Sequence, residues 1–357
     1  MQQTIMKHSE GSANSDSSTE RRKKQLAWAG FLLGILALGI IMLWTGIQDV
    51  KEAFVAGGPA LLLLVFLYPV ELIPRAAAWG ILYPGQTSLK NTVFIYGIWI
   101  GQSLNRLIPT ATIGGDIVRG RLLMQKGADE SGIISSLIAD KTAHAVSILM
   151  LLMLGILLII TRAQDVRIIA GLLIAVLLLG TGIVLFIRLQ RSSSISARLD
   201  KWSSDGKMSF LSTSADAARN IENQLEDLYS NPGKFLISIF IRVVFQIALA
   251  AEIWFAAWLM GFEVSVLEAV TLRVVSFGVR SLAFVVWGGL GVQEGVYALL
   301  SAFVGLPPGT LIAISLATRV REIVAAIPGV IIWVTGEGVR FVRMKSEKSI
   351  SEDIIDK

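Results

Sequence analysis

Long apolar runs separated by short polar stretches dominate the pattern along the chain. A helix of about 20 apolar residues crosses a hydrocarbon core of about 30 Å. In lipid, only helices and closed barrels provide hydrogen-bond partners for all of their backbone N–H and C=O groups. The pattern therefore predicts membrane-spanning helices. The predicted spans are 26–47, 59–83, 131–160, 168–188, 234–260 and 310–335.

Two further apolar segments, 92–113 and 265–305, are interrupted by polar residues and glycine. They contain SLNRLIPTATIGGDIVRGRLL (103–123) and SLAFVVWGGLGVQEG (281–295). Irregular backbone at membrane depth is tolerated where it is buried in protein or lines a cavity, and glycine allows a ligand or helix to approach closely. We expect an all-α polytopic membrane protein of about seven to nine membrane segments, two of them broken or re-entrant.

The two interrupted segments also resemble each other. Asp116 follows Ser103 at the same spacing as Glu294 follows Ser281, and a glycine pair lies between them in each case. This match favours an internal duplication, although short glycine-containing matches also arise by chance. Paired broken helices in two halves are typical of transporters whose sites lie between repeats.

Composition agrees with a membrane protein, since 54% of residues are hydrophobic and only 17% are charged. The absence of cysteine excludes disulfides and a cysteine nucleophile, and two histidines make no metal site. We expect no metal and no cofactor. The chain divides into a disordered basic tail (1–24), a first membrane half (25–188), a polar loop with an amphipathic helix (189–233), a second membrane half (234–336) and a C-terminal tail (337–357).

Basic residues predict the orientation, because Lys and Arg concentrate in cytoplasmic loops. This rule places both tails and the 189–233 loop in the cytoplasm. If residues 92–113 crossed the membrane fully, the loop would lie outside. A re-entrant segment that returns to its own side removes the conflict, as would one missed span elsewhere.

Charged residues inside the apolar runs are candidates for a substrate site. Glu71 and Arg75 share a helix face and can be interpreted as a structural ion pair. Asp140 and His144 also share a face, and they can be interpreted as a structural pair or as a proton relay. A larger set predicts a polar cavity for an anionic headgroup, because arginine pairs bidentately with phosphate. Its members are Arg106, Asp116, Arg119, Arg280, Glu294, Arg319, Arg321 and Glu322.

The stretches NRLIPTATIGGDIVRGRLL and GGLGVQEGVYALLSAFVGLPPGTLIAISLATRVREIVAAIPG resemble the flippase-like transmembrane domain of lysylphosphatidylglycerol synthases. Within that family, the chain is most similar to the stand-alone, hopanoid-biosynthesis-associated (HpnL-type) proteins. The resemblance implies a bacterial inner-membrane protein that moves a lipid, anionic or hopanoid, between leaflets without ATP. Full-length synthases carry an aminoacyl-transferase domain, which residues 337–357 are too few to form, so we expect no such activity.

The resemblance also implies site residues. Matching positions in the first motif are Asn105, Pro109, Gly114, Gly115, Asp116 and Arg119. Those in the second are Gly289, Gly291, Glu294, Gly295, Arg319 and Glu322. Trp287 departs from the subgroup, where related proteins tend to place proline, and this weakens the choice of a particular lipid.

Two alternative functions remain open at this stage. The chain could be a membrane-embedded enzyme acting on a lipid or polyprenyl-phosphate headgroup, or a non-transporting scaffold that recruits a lipid-biosynthesis enzyme through the 189–233 loop. A membrane lipid is the expected substrate, lipid-biosynthesis enzymes are candidate partners, and nucleic acid is not expected. The sequence fixes neither the oligomeric state nor the direction of transport.

Overall fold

A computed structural model describes residues 36, 39–40, 47–84, 91–107, 113–161, 166–191, 210–230, 232–283 and 290–355. The described residues form helices joined by short turns, and none of them is in a strand. The chain is a helical membrane protein, as the apolar runs predicted. Most of the predicted span 26–47 lies outside the described residues.

Four helical stretches are long and apolar enough to cross a membrane: Val50–Gly80, Glu130–Ile160, Ile169–Arg188 and Pro232–Leu259. The first is built from α1 (Ile47–Gly57), a 3-10 segment (Gly58–Leu67) and α2 (Tyr68–Gly80). The second and third are α5 (Glu130–Ile160) and α6 (Val166–Arg191). The fourth combines α8 (Pro232–Ala248) with α9 (Ala250–Leu259).

The first interrupted segment folds as two antiparallel helices, α3 (Asn91–Leu107) and α4 (Ile113–Met124). Asn105 lies beside Gly115 at one end of the pair, and Gly97 lies beside Leu123 at the other. At 1.5 Å per residue, α4 is only about 18 Å long, too short to cross a bilayer core of about 30 Å. We call this pair the hairpin.

Both ends of the hairpin lie at the same end of the bundle. The hydroxyl of Tyr83, just before the hairpin, accepts a hydrogen bond of 3.1 Å from the backbone N–H of Asp129, just after it. Asp129 caps α5 by accepting bonds from Ser131 Oγ and Gly132 N, and these bonds lower the pKa of its carboxyl. The segment therefore begins and ends at one end of the bundle, but it returns over 113–124 and not within the predicted 92–113, because α4 is the returning helix.

The polar loop contributes α7 (Phe210–Ser230), which packs at this same end. Its apolar face buries Leu225 and Leu228 against Leu82 and Ala139, with Ile221 half-buried beside them. Gln224 Oε1 accepts a hydrogen bond of 2.7 Å from Ser135 Oγ, near the start of α5. The amphipathic spacing seen in the sequence therefore docks α7 on the membrane helices.

The second interrupted segment begins with α10 (Val266–Leu282), capped by Ser265 and Glu268. After residues that the structure does not describe come α11 (Val292–Leu299) and α12 (Ser301–Val304). The long helix α13 (Pro308–Ile355) contains the predicted span 310–335 and packs against α1, α3 and α11. Its buried residues join those of α5, α9 and α10 in the main apolar core.

Candidate functional site

A carboxylate at the centre of the bundle receives three guanidinium groups. Glu71 on α2 is 1% exposed. Its oxygens lie 2.6 Å from Arg75 Nη2, 3.2 Å from Arg106 Nη2 and 3.0 Å from Arg321 Nη1. The contacts join α2 to the deep end of the hairpin and to α13. Glu71 therefore does more than neutralise Arg75, the one partner that the sequence spacing identified.

Glu322 on α13 forms the second part of this centre. Arg280, at the end of α10, donates two parallel hydrogen bonds to its carboxylate, at 3.3 and 3.0 Å. Arg106 Nη2 lies 3.8 Å from the same carboxylate. Three predicted site residues, Arg106, Arg280 and Glu322, are thus brought together where both interrupted segments meet α13.

Arg321 extends the centre to a fourth element. Its Nε lies 2.6 Å from Glu252 Oε1, and both side chains are at most 1% exposed. Glu252 lies in the apolar run of α9, and sequence reasoning missed it. A lone carboxylate within a predicted span was the available signal, because such residues almost always face a partner. We name Glu71, Arg106, Glu252, Arg280, Arg321 and Glu322 the central cluster.

Glu294 lies beside the central cluster, at the start of α11. Its side chain is fully buried, accepts a hydrogen bond of 2.9 Å from Gly291 N and is paired with the Arg319 guanidinium. Gly291 has φ of 77°, a conformation that glycine adopts without strain. The neighbouring Gln293 accepts a hydrogen bond of 2.9 Å from Arg280. Glu294 thus holds the backbone at the start of α11. The adjacent residue, Gln293, contacts Arg280 of the central cluster.

A separate cluster of charged residues lies beside α4 of the hairpin. Asp116 lies 3.0 Å from Arg119 Nη2 and 2.5 Å from Lys141 Nζ. Arg119 also lies 2.7 Å from Asp140, which pairs in turn with Arg242 of α8. We name these five residues the hairpin cluster. It links α4, α5 and α8, and its members include two predicted site residues, Asp116 and Arg119.

Close backbone approach explains the glycines of the hairpin. A Cβ atom on Gly115 would lie 2.0 Å from Gly101 O and 2.6 Å from Asn105 Oδ1. The Asn105 side chain accepts a hydrogen bond of 2.9 Å from Gly115 N, so it holds the start of α4. Gly114 lies in the first turn of α4. Pro109 and Gly289 lie outside the described residues.

Basic side chains outnumber carboxylates in the ion-pair network. Ion pairs among the described residues join eight basic side chains to six carboxylates. The basic members are Arg75, Arg106, Arg119, Lys141, Arg242, Arg280, Arg319 and Arg321, and the acidic ones are Glu71, Asp116, Asp140, Glu252, Glu294 and Glu322. Guanidinium groups in excess of carboxylates can pair with an anionic group.

Comparison with known proteins identifies the family. Residues 28–329 match the lysylphosphatidylglycerol synthase TM region. The chain belongs to the lysylphosphatidylglycerol synthase TM region family. It is also 22% identical, over 305 residues, to the UPF0104 membrane protein PH1989 of Pyrococcus horikoshii, a match that covers 81% of this chain and 90% of that protein. No solved structure matches the chain significantly.

This family region includes both clusters, and its motif residues divide between them. Asp116 and Arg119 belong to the hairpin cluster, whereas Glu322 belongs to the central one. Glu294 and Arg319 form their own pair beside it. A common space shared by Asp116 and Glu294, and the repeat that would explain it, stay predictions. Gly295 lies in the first turn of α11, where its N–H donates to Gly291 O.

Proposed function

We propose that this membrane protein translocates a lipid between leaflets without ATP, and that the lipid is anionic or a hopanoid. One observation carries the proposal: Arg106 and Arg280, one from each interrupted segment, share the carboxylate of Glu322 where these segments meet α13. An ionisable side chain at the bilayer centre costs on the order of 3 kcal/mol or more, so such residues are expected to serve a function. Guanidinium groups bind phosphate through paired hydrogen bonds, which suits a phospholipid headgroup.

Exchange of ion pairs is the proposed mechanism. Arg280 is 24% exposed and already holds a carboxylate in a bidentate arrangement. A lipid phosphate that replaces Glu322 at Arg280 would keep the guanidinium paired, while Arg106 lies close enough to take over Glu322. The charged centre would then never carry an unpaired ion, and no ATP would be required to pass the headgroup along it.

The family membership supports this proposal, since the transmembrane region of this family is flippase-like in general. The HpnL-type resemblance of the two motifs supports a hopanoid or hopanoid-associated lipid. We further propose that the protein lies in a bacterial inner membrane with both termini in the cytoplasm, beside lipid-biosynthesis enzymes. The basic residues that flank the spans are the support for that orientation.

The test is lipid movement in vesicles that contain the purified protein. Arg280→Gln should lower the rate of phosphatidylglycerol translocation at least tenfold, because a bidentate partner for phosphate is lost. The matched control is Lys51→Gln, which removes one positive charge from an exposed position on α1. Translocation is measured from the accessibility of a fluorescent headgroup to an added quencher, and thermal unfolding shows whether the variant remains folded.

Two results would contradict the proposal. A folded Arg280→Gln variant with the wild-type rate would remove the central cluster from the lipid path. Chemical conversion of the lipid by the protein would favour the membrane-embedded enzyme instead. If deletion of the 189–233 loop abolished function in cells while Arg280→Gln left it intact, the scaffold alternative would be favoured.

A further inference from the structure

A groove opens on the surface of the described helices, between α5, α6 and α10. Its volume is about 460 Å³, within the range of about 300–1,000 Å³ that is usual for small-ligand sites. Every residue that lines it is apolar or glycine: Ala145, Leu178, Leu179, Gly182, Ile183, Phe186 and Leu282. The groove therefore offers a recessed surface for a hydrocarbon chain.

A cationic side chain lies one helical turn from the groove. Lys141 precedes Ala145 by four residues on α5, so the two side chains share a helix face. Lys141 is 46% exposed, the largest exposure among the ion-paired residues of both clusters. Its ammonium contacts Asp116 at 2.5 Å, and through Asp116 it adjoins Arg119. The buried charge network thus reaches the surface of the bundle at Lys141.

An apolar groove with a cation at one end complements an anionic amphiphile. The hydrocarbon tail would contact the groove, and the headgroup phosphate would contact Lys141. We infer that this groove holds one acyl chain of an anionic phospholipid on its way to the charged interior, with Lys141 as the contact of its phosphate within the membrane. This inference rests on the proposed function, because it names the route by which the substrate reaches the charged interior.

Gly182 lines the groove at a position where a larger side chain can be introduced. A Cβ added to Gly182 would have no heavy atom within 4 Å, so a larger side chain there enters the groove without a clash at its base. Gly171 provides a matched control. It lies on the same helix, is exposed, has the same open surroundings and does not line the groove.

The experiment uses full-length protein in phosphatidylcholine vesicles that contain phosphatidylglycerol with a photoreactive diazirine on one acyl chain. After illumination, mass spectrometry locates the labelled residues. We expect labelling at Leu178, Gly182 and Phe186. Gly182→Trp should reduce this labelling at least tenfold, whereas Gly171→Trp should preserve it. Lys141→Gln should reduce labelling by phosphatidylglycerol several-fold and leave labelling by a diazirine-bearing phosphatidylcholine unchanged.

Labelling spread evenly along α6, or insensitive to Gly182→Trp in a folded variant, would overturn the inference. Equal labelling by both lipids in the wild-type protein would overturn the role of Lys141. A protein segment cross-linked in the groove would show a different occupant and would also overturn it. Labelling requires no transport, so the two claims can fail separately. Groove labelling without translocation would support this inference and contradict the proposed function. Translocation without groove labelling would support the proposed function and contradict this inference.

Discussion

At the residue scale, the structure shows how a membrane interior can hold many charges. Glu71 accepts contacts from Arg75, Arg106 and Arg321, and Glu322 bridges Arg106 and Arg280. Glu71, Glu322, Arg106 and Arg321 thus each have more than one ionic partner. Shared partners allow one pair to open while the charge stays compensated, which is the property that ion-pair exchange with a headgroup requires.

Glu71→Gln tests the importance of this sharing. The substitution keeps the volume of the side chain but leaves three arginines without their common anion, and loss of one partner of a buried ion pair costs about 3–5 kcal/mol. We expect a large fall in the thermal unfolding temperature in detergent. Glu52→Gln, at an exposed position on α1, should change it little. Equal unfolding temperatures for both variants would show that Glu71 is dispensable.

Sequence alone identified some of these contacts. Helical spacing pointed to Glu71 and Arg75, because residues four apart share a face. The contact between Glu71 and Arg321 joins positions 250 residues apart, and no periodicity encodes it. Glu252 and Arg242, both in the predicted span 234–260, were missed since no helical spacing within that run indicates their partners. The sequence therefore indicated which charged residues lie inside the apolar runs, whereas the structure was needed to show which of them pair.

At the scale of elements, the hairpin explains the polar and glycine-rich first motif. Gly101 and Gly115 let α3 and α4 approach until a Cβ would meet a backbone oxygen. Asp116, in the first turn of α4, contacts Lys141, about 18 Å along α5 from Asp129 at 1.5 Å per residue. The start of α4 therefore lies well inside the predicted span of α5.

Gly115→Ala should separate the two hairpin helices. The new methyl group would lie 2.0 Å from Gly101 O, and a backbone atom cannot move aside as a flexible side chain can. Overpacking of this kind costs about 1–3 kcal/mol or more. We expect a lower thermal unfolding temperature in detergent. The control, Gly171→Ala, meets no neighbour within 4 Å and should behave like wild type. A fully stable Gly115→Ala protein would contradict the hairpin geometry.

The four candidate spans among the described residues were predictable because length and apolarity alone decide whether a helix can cross a bilayer. The return of the hairpin followed from the distribution of basic residues, an independent signal. The long 3-10 segment between α1 and α2 was not foreseen, since an apolar run does not distinguish 3-10 from α-helix. Nor did the sequence show which helices α13 would contact.

At the scale of the whole molecule, the contacts define two ends. Tyr83, Asp129 and α7 lie at one end, which the basic loop predicts to be cytoplasmic. The spans α5 and α8–α9 start there, and both finish in the same apolar core, where Ile159 and Met260 are buried. The loop after α9 therefore belongs to the opposite end.

Cysteine labelling of this cysteine-free chain tests that arrangement. Gln125→Cys and Glu226→Cys should react with a membrane-impermeant maleimide only from the cytoplasmic side. Glu263→Cys, in the loop after α9, should react only from the opposite side. The same pattern is predicted for cytoplasmic cysteines at Glu20, Asp205 and Ile350. Labelling of Gln125→Cys from outside would mean that residues 92–113 cross the membrane.

The central claim is that the charged interior passes an anionic lipid headgroup across the membrane. Its most direct test is the translocation rate of phosphatidylglycerol in wild-type vesicles without ATP, compared with phosphatidylcholine and with protein-free vesicles. The excess of basic side chains predicts a protein-dependent rate that is at least tenfold faster for phosphatidylglycerol than for phosphatidylcholine. A rate no higher than that of protein-free vesicles for both lipids would contradict the claim.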